Sequence, residues 1–235
     1  MRADAQRNRE QILRAAREIF VDQGPDAPLD EIARRAGVGI ATLYRRFPER
    51  DDLIQAVALD VFTALIAAAH GALAEEPDPA VGLRRFMHAA LDLKVGSVMP
   101  SLMGRVDVDS MVDAARGDAV EPVQEMLTRA QRDGLIREDV VFGDIALVLT
   151  RLSRPLPGAR IPFDGDLAHR HLDVYIDGLR APGAERPRDP LPGPAITGEE
   201  FKRLRERLAK GPGPAADPDA DHDPSAGPAA GPTHA

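Results

Sequence analysis

Ile12, Ala16, Ile19 and Phe20 recur at the spacing of one helical face, and the run stops at Gly24-Pro25. Leu29, Ile32, Ala33 and Ala36 repeat the pattern over a shorter span, with Pro28 at its first turn and Gly37 at its end. A third short helix is expected from about Ile40 to Phe47, closed by Pro48. A fourth starts near Asp51 and continues through LIQAVALDVFTALIAAAHGALA, ending before Pro77. Helical patterning resumes over 80–95, breaks at 96–106, and returns over 107–116, 119–133, 141–154 and 165–180. Breakers separate these stretches: Gly96, Pro100, Gly104, Gly117, Asp133-Gly134 and Pro155-Leu156-Pro157-Gly158. No alternating strand pattern exceeds a few residues, so the chain reads as all-α.

From Ala181 the composition turns to Pro, Gly, Ala and Asp, too poor in apolar surface to fold. One island, Thr197 through Leu208, reads as a capped, charged helix. Three regions follow: 1–50, 51–180 and a tail, 181–235, with its short helix near 197–210. Aromatic residues are only 4% of the 235 and Trp is absent, so the core rests on Ala, Leu, Val and Ile, which suit packed helices. Cysteine is absent too, which excludes disulfides and thiolate metal sites. The charged start lacks a signal-peptide core, and no apolar run is expected to reach the roughly 20 residues of a membrane span. A cytoplasmic location with no membrane partner is therefore expected.

The net charge of −8 speaks against a nucleic-acid partner until its distribution is considered. The first fifty residues hold ten arginines and eight acids, leaving +2 there and −10 on the remainder. A basic head on an acidic body is compatible with DNA binding at one end.

Residues 29–47 have the dimensions of a helix-turn-helix. Ala33 is small where the helices cross, Gly37 permits the turn, and Ile32, Val38, Leu43 and Phe47 fill the small core. Gly39, Ile40, Ala41, Thr42, Tyr44, Arg45 and Arg46 then face outward from the third helix. Such a face can enter the major groove, where arginines read guanine or neutralise phosphate and hydroxyls hold the backbone. Tyr44 has a second reading, packed inward on Phe47. Arg50 adds a cation at the start of the fourth helix.

The stretch from Ile12 to Leu53, above all IARRAGVGIATLYRRFPERDDL, resembles the DNA-binding module of TetR-family regulators. The matching positions are Ile32-Ala33, Ala36-Gly37-Val38, Gly39, Thr42-Leu43-Tyr44, Phe47, and Arg50 with Asp51-Asp52-Leu53. Gly39 stands where the family often has Ser, Ala41 where Gly is common, Pro28 for a Thr that often meets phosphate, and Arg50 for Lys. The wider chain, including LPGPAITGEE, resembles the SbtR-like branch. The resemblance implies a helical effector domain that dimerises through its last two long helices, here 141–154 and 165–180, as a four-helix bundle. It implies a homodimer on a palindromic double-stranded operator, with half-sites about 34–36 Å apart or a multiple of that. It also implies a small-molecule effector that releases a repressor.

Phe62, Ile66, Phe86, Met87, His88, Met99 and Met103 either line an effector pocket or form bundle core. His88 and Asp92, four apart, either meet a ligand or metal or pair with each other. His169 and His171 diverge on a helix, and the acidic run Asp107, Asp109, Asp113, Asp118 lacks the glycine and terminal glutamate of a calcium loop. No cofactor and no metal site are expected. An activator, an all-helical enzyme and an interaction scaffold are the rival readings, and no catalytic motif supports the enzyme.

Overall fold

The computed structural model describes residues 2–102, 105, 106, 110, 115, 117–154, 164–181, 197–200, 202 and 203. Along them run α1 (Arg2–Gln23), α2 (Leu29–Arg35), α3 (Ile40–Arg46), α4 (Arg50–Glu75), α5 (Pro79–Asp92), α6 (Val95–Leu102), α7 (Val120–Arg132), α8 (Phe142–Leu152) and α9 (Asp164–Leu179). Most of the expected helix over 107–116, most of the acidic run, Met103 and most of the tail lie outside the described residues. The fold is all-α, an N-terminal three-helix head on a helical bundle. An isolated antiparallel β-bridge joins Ile136 to Arg180 and ties the turn after α7 to the end of α9.

One apolar cluster runs through both parts. Ile12, Leu13, Ala16, Ile19 and Phe20 of α1 are all but fully buried, as are Leu53, Ile54, Val57 and Val61 of α4. Each large side chain of this kind stabilises the fold by about 1.5–3 kcal/mol relative to exposure. The α1 helix packs on α2, α4 and α6, and α4 packs on α5, α6 and α7, so α4 belongs to both halves. Its entry is fixed by a reciprocal cap: the Glu49 amide donates to Asp52 Oδ2 at 3.0 Å. Asp78 caps α5 in turn, accepting from the amides of Ala80 and Val81 at 2.8 and 3.3 Å, with Pro79 in the first turn.

Two expectations need correction. With 26 residues, and a mean hydropathy of 1.8 over its most apolar 18-residue stretch, α4 is long and apolar enough to cross a membrane, contrary to the sequence reading. It serves here as the central core helix, with nine buried residues on the faces that meet its neighbours. The broken stretch at 96–106 contains a helix, α6, despite Gly96 and Pro100. Packing overrides the breakers. Val98 and Leu102 are fully buried, Pro100 falls late in the helix where it removes a single intrahelical bond, and the Ser97 hydroxyl donates to the Ser153 carbonyl across to α8.

Candidate nucleic-acid interface

The turn between α2 and α3 depends on Gly37, whose φ of +69° lies in the left-handed region that side chains disfavour. The chain then extends through Gly39 (φ −70°, ψ 144°) into α3 without a side-chain cap. Ile32 and Leu43 are fully buried, Ala33 and Phe47 nearly so, and Val38 partly. These contacts orient α3. Across the back of the head, Arg35 is held by Glu18 at 2.8 Å, and Gln23 donates to Glu31 at 3.1 Å.

With Leu43 and Phe47 turned inward, the rest of α3 faces outward. Gly39, Ala41, Arg45 and Arg46 are exposed, Ile40 is 40% exposed, Tyr44 50%, and Thr42 half-buried. The inward alternative for Tyr44 is thus not the conformation adopted. Arg45 Nη2 donates to Thr42 Oγ1 at 3.2 Å, aligning the guanidinium along the helix. A cleft of about 270 Å³ separates this face from α1 and is lined by Asn8, Arg9, Thr42, Arg45 and Arg46. Arg9 and Asn8 escaped the sequence reading. Arg9 is one of several arginines along α1, and only the crossing of α1 and α3 shows which of them lies beside the exposed face.

Arg50 has a different place from the one expected. Its Nη1 donates to the carbonyls of Pro25 and Ala27, at 3.1 and 2.6 Å, so this guanidinium braces the turn between α1 and α2 from behind. Lysine, with one compact ammonium, does not reproduce that geometry.

In the bundle, Phe62, Ile66, Phe86 and Met87 are buried together in the core, and Met99 packs against it. His88 is not among them. It sits on the side of α5 that meets α9, with Asp173 as its carboxylate partner rather than Asp92. Hydrogen bonding from His88 and then Arg84 lowers the Asp173 pKa. Burial, and after it Asp144, raises the Tyr175 phenol well above its ordinary value. A cleft of about 380 Å³ opens between α5, the turn after α7 and the end of α9. Met87, Leu83, Ile136 and Ile176 line it, with Arg84 and Arg180 among its polar residues.

Residues 12–57 match the family described as "Bacterial regulatory proteins, tetR family", and residues 78–181 match "Transcriptional regulator SbtR-like, C-terminal domain". A solved TetR regulatory protein from Mycobacterium vanbaalenii is 33% identical, with a TM-score of 0.54 over 77% of this chain and 99% of that one. The chain belongs to the TetR family. It is a DNA-binding transcriptional regulator. The "HTH-type transcriptional repressor LfrR" of Mycolicibacterium smegmatis is 35% identical over 139 residues, 54% of this chain and 67% of LfrR. The structure of LfrR in complex with proflavine aligns with a TM-score of 0.51 at 28% identity, covering 72% of this chain and 95% of that one.

Proposed function

We propose that this TetR-family chain is a cytoplasmic homodimeric repressor, released from a palindromic operator by a small-molecule effector. The outward face of α3 carries the reading: Gly39, Ile40, Ala41 and Thr42 enter the major groove, while Tyr44, Arg45 and Arg46 reach phosphates or base edges. Arg9 adds a phosphate contact from α1, and Arg50 supports the head rather than touching DNA. Residues 1–50 read DNA, 51–180 bind the effector and dimerise, and 181–235 form a tail.

Dimerisation through α8 and α9 is supported by Leu167 and Val174, seven apart on α9 and 36% and 66% exposed. They leave an apolar strip for a second copy. The effector site lies in the apolar interior around Phe62, Ile66, Phe86 and Met87, reached through the cleft that Met87 lines. LfrR, a repressor by name and solved in complex with proflavine, supports the reading of a repressor that takes a small-molecule ligand.

The test is selection of an operator from random DNA, followed by anisotropy titration of the labelled duplex. The expected result is one dimer per palindrome, and displacement by at least one member of a small-molecule screen. Binding that survives joint replacement of Arg45 and Arg46 by Ala without loss would overturn the role of α3.

A further inference from the structure

Where α5 and α9 lie side by side, His88 and His169 meet ring to ring. Their planes are 4° apart, their centroids 5.0 Å apart, and the two Nδ1 atoms stand 2.7 Å from each other. The outer nitrogens are occupied. His88 Nε2 lies 2.9 Å from Asp173 Oδ1, which also accepts from Arg84 Nη2 at 2.7 Å, and His169 Nε2 lies 2.9 Å from Asp92 Oδ1. A carboxylate only accepts, so the hydrogen of each imidazole belongs on its outer nitrogen. A neutral imidazole has no second hydrogen. Both Nδ1 atoms therefore present lone pairs to one another, a repulsive contact unless a cation lies between them.

We propose that His88 and His169 are the protein ligands of a divalent transition-metal site, of the zinc or nickel class, that clasps α5 to α9. Imidazole suits these metals, and ligating histidines characteristically donate their other N–H to a carboxylate, the arrangement both rings have here. On a tetrahedral zinc with bonds of about 2.0–2.1 Å, two nitrogens stand about 3.3 Å apart, so to admit the ion the rings separate by about 0.6 Å and each tilts by about 35°, turning both lone pairs from one another toward the metal. The His88 and His169 side chains are 21% and 31% exposed, which leaves the remaining coordination positions to water or an incoming ligand. Among the described residues no three His, Asp or Glu side chains converge on one metal position. The site is therefore open and exchangeable rather than a closed structural one. His171, two positions further along α9, is exposed.

The experiment uses the full chain, free of any affinity tag and stripped with chelator, titrated with zinc sulfate by calorimetry and with cobalt chloride by visible absorption. One metal per chain is expected, with d–d bands of a four-coordinate cobalt centre and a raised unfolding midpoint. His88→Ala and His169→Ala are expected to lose the binding and His171→Ala to keep it. Asp92→Asn, which leaves both ligand rings in place, is expected to weaken it about 10–100-fold. Circular dichroism establishes that each variant is folded, and Asp92→Asn supplies the reading if a histidine variant is not. The proposal is overturned if no saturable binding occurs, meaning that a proton alone holds the pair. Binding that is insensitive to His88→Ala, His169→Ala and Asp92→Asn overturns it equally.

Discussion

Gly96 of α6 lies against the backbone of α8 so closely that a Cβ placed on it would stand 2.3 Å from Thr150 Cα and 2.8 Å from the Leu149 carbonyl oxygen. No neighbour there can rotate away, since both atoms are main chain. The α6 helix also packs on α1 and α4, so this contact sets where a bundle helix meets the head. Gly96→Ala is expected to cost about 1–3 kcal/mol by overpacking. Urea unfolding measures it, and an unshifted midpoint would contradict the close approach. The operator affinity of the folded variant is expected to change as well, because α6 cannot move from α8 without disturbing α1.

The same residue shows what was legible in the sequence. Gly96 and Pro100 signal a break, and locally they do, but burial of Val98 and Leu102 outweighs the signal and makes α6 a helix. Where the apolar periodicity ran long, as in α7, whose Pro122 falls in the first turn, and in α9, the bounds lie within a residue of those observed. The face of α3 was readable because Leu43 and Phe47 leave only one way to turn a seven-residue helix. Arg50 was not, because its carbonyl partners at Pro25 and Ala27 are 25 and 23 positions away. His88 was misplaced for the same reason: its partners lie on α9, some eighty residues on.

Replacing Arg50 tests its structural place. Arg50→Ala removes a cation that binds two backbone carbonyls in a partly buried turn, and hydrogen bonds to charged groups are worth about 1.5–3 kcal/mol. The expected outcome is a loss of that order in chemical denaturation, with Arg50→Lys intermediate. If Arg50 contacted DNA alone, stability would hold while operator affinity fell.

Arg45 and Arg46 are expected to behave the opposite way. Both are exposed, and their removal leaves the buried set of the head intact. Each replacement by Ala is expected to weaken operator binding by about 1–3 kcal/mol if it reads a base, and to reduce the salt slope by about one if it contacts phosphate. Anisotropy titrations at several salt concentrations separate the two cases. Unfolding midpoints should move little. Thr42→Val removes the oxygen that aligns Arg45 and is expected to weaken binding less than Arg45→Ala does.

The last prediction concerns residues 197–200, 202 and 203, of which Thr197, Gly198, Glu199 and Lys202 border one cleft with Val120, Gln124 and Thr128 of α7. Asp118, on the approach to α7, accepts from the Lys202 ammonium at 3.1 Å and from the Val120 amide at 2.8 Å, and its side chain is only 14% exposed. Burial raises its pKa, but the Lys202 and backbone hydrogen bonds outweigh that and leave it below the ordinary carboxylate value of 3.8. A carboxylate depressed in the folded state contributes stability above its unfolded pKa and loses it as pH falls through the folded one. Attachment of the segment is therefore expected to be constant from neutrality down to about pH 4 and to weaken progressively below that. Glu200, lowered by the Thr197 amide and hydroxyl, titrates in the same direction and adds to the effect. Lys202→Met separates the two, since it removes the partner of Asp118 and leaves the Thr197–Glu200 cap intact. Amide-exchange protection at Glu200 and Lys202, measured between pH 6 and 3, is expected to fall with acid in the parent and to be lower and flatter in the variant. Equal profiles in the two proteins would mean that the Asp118–Lys202 pair does not hold the segment.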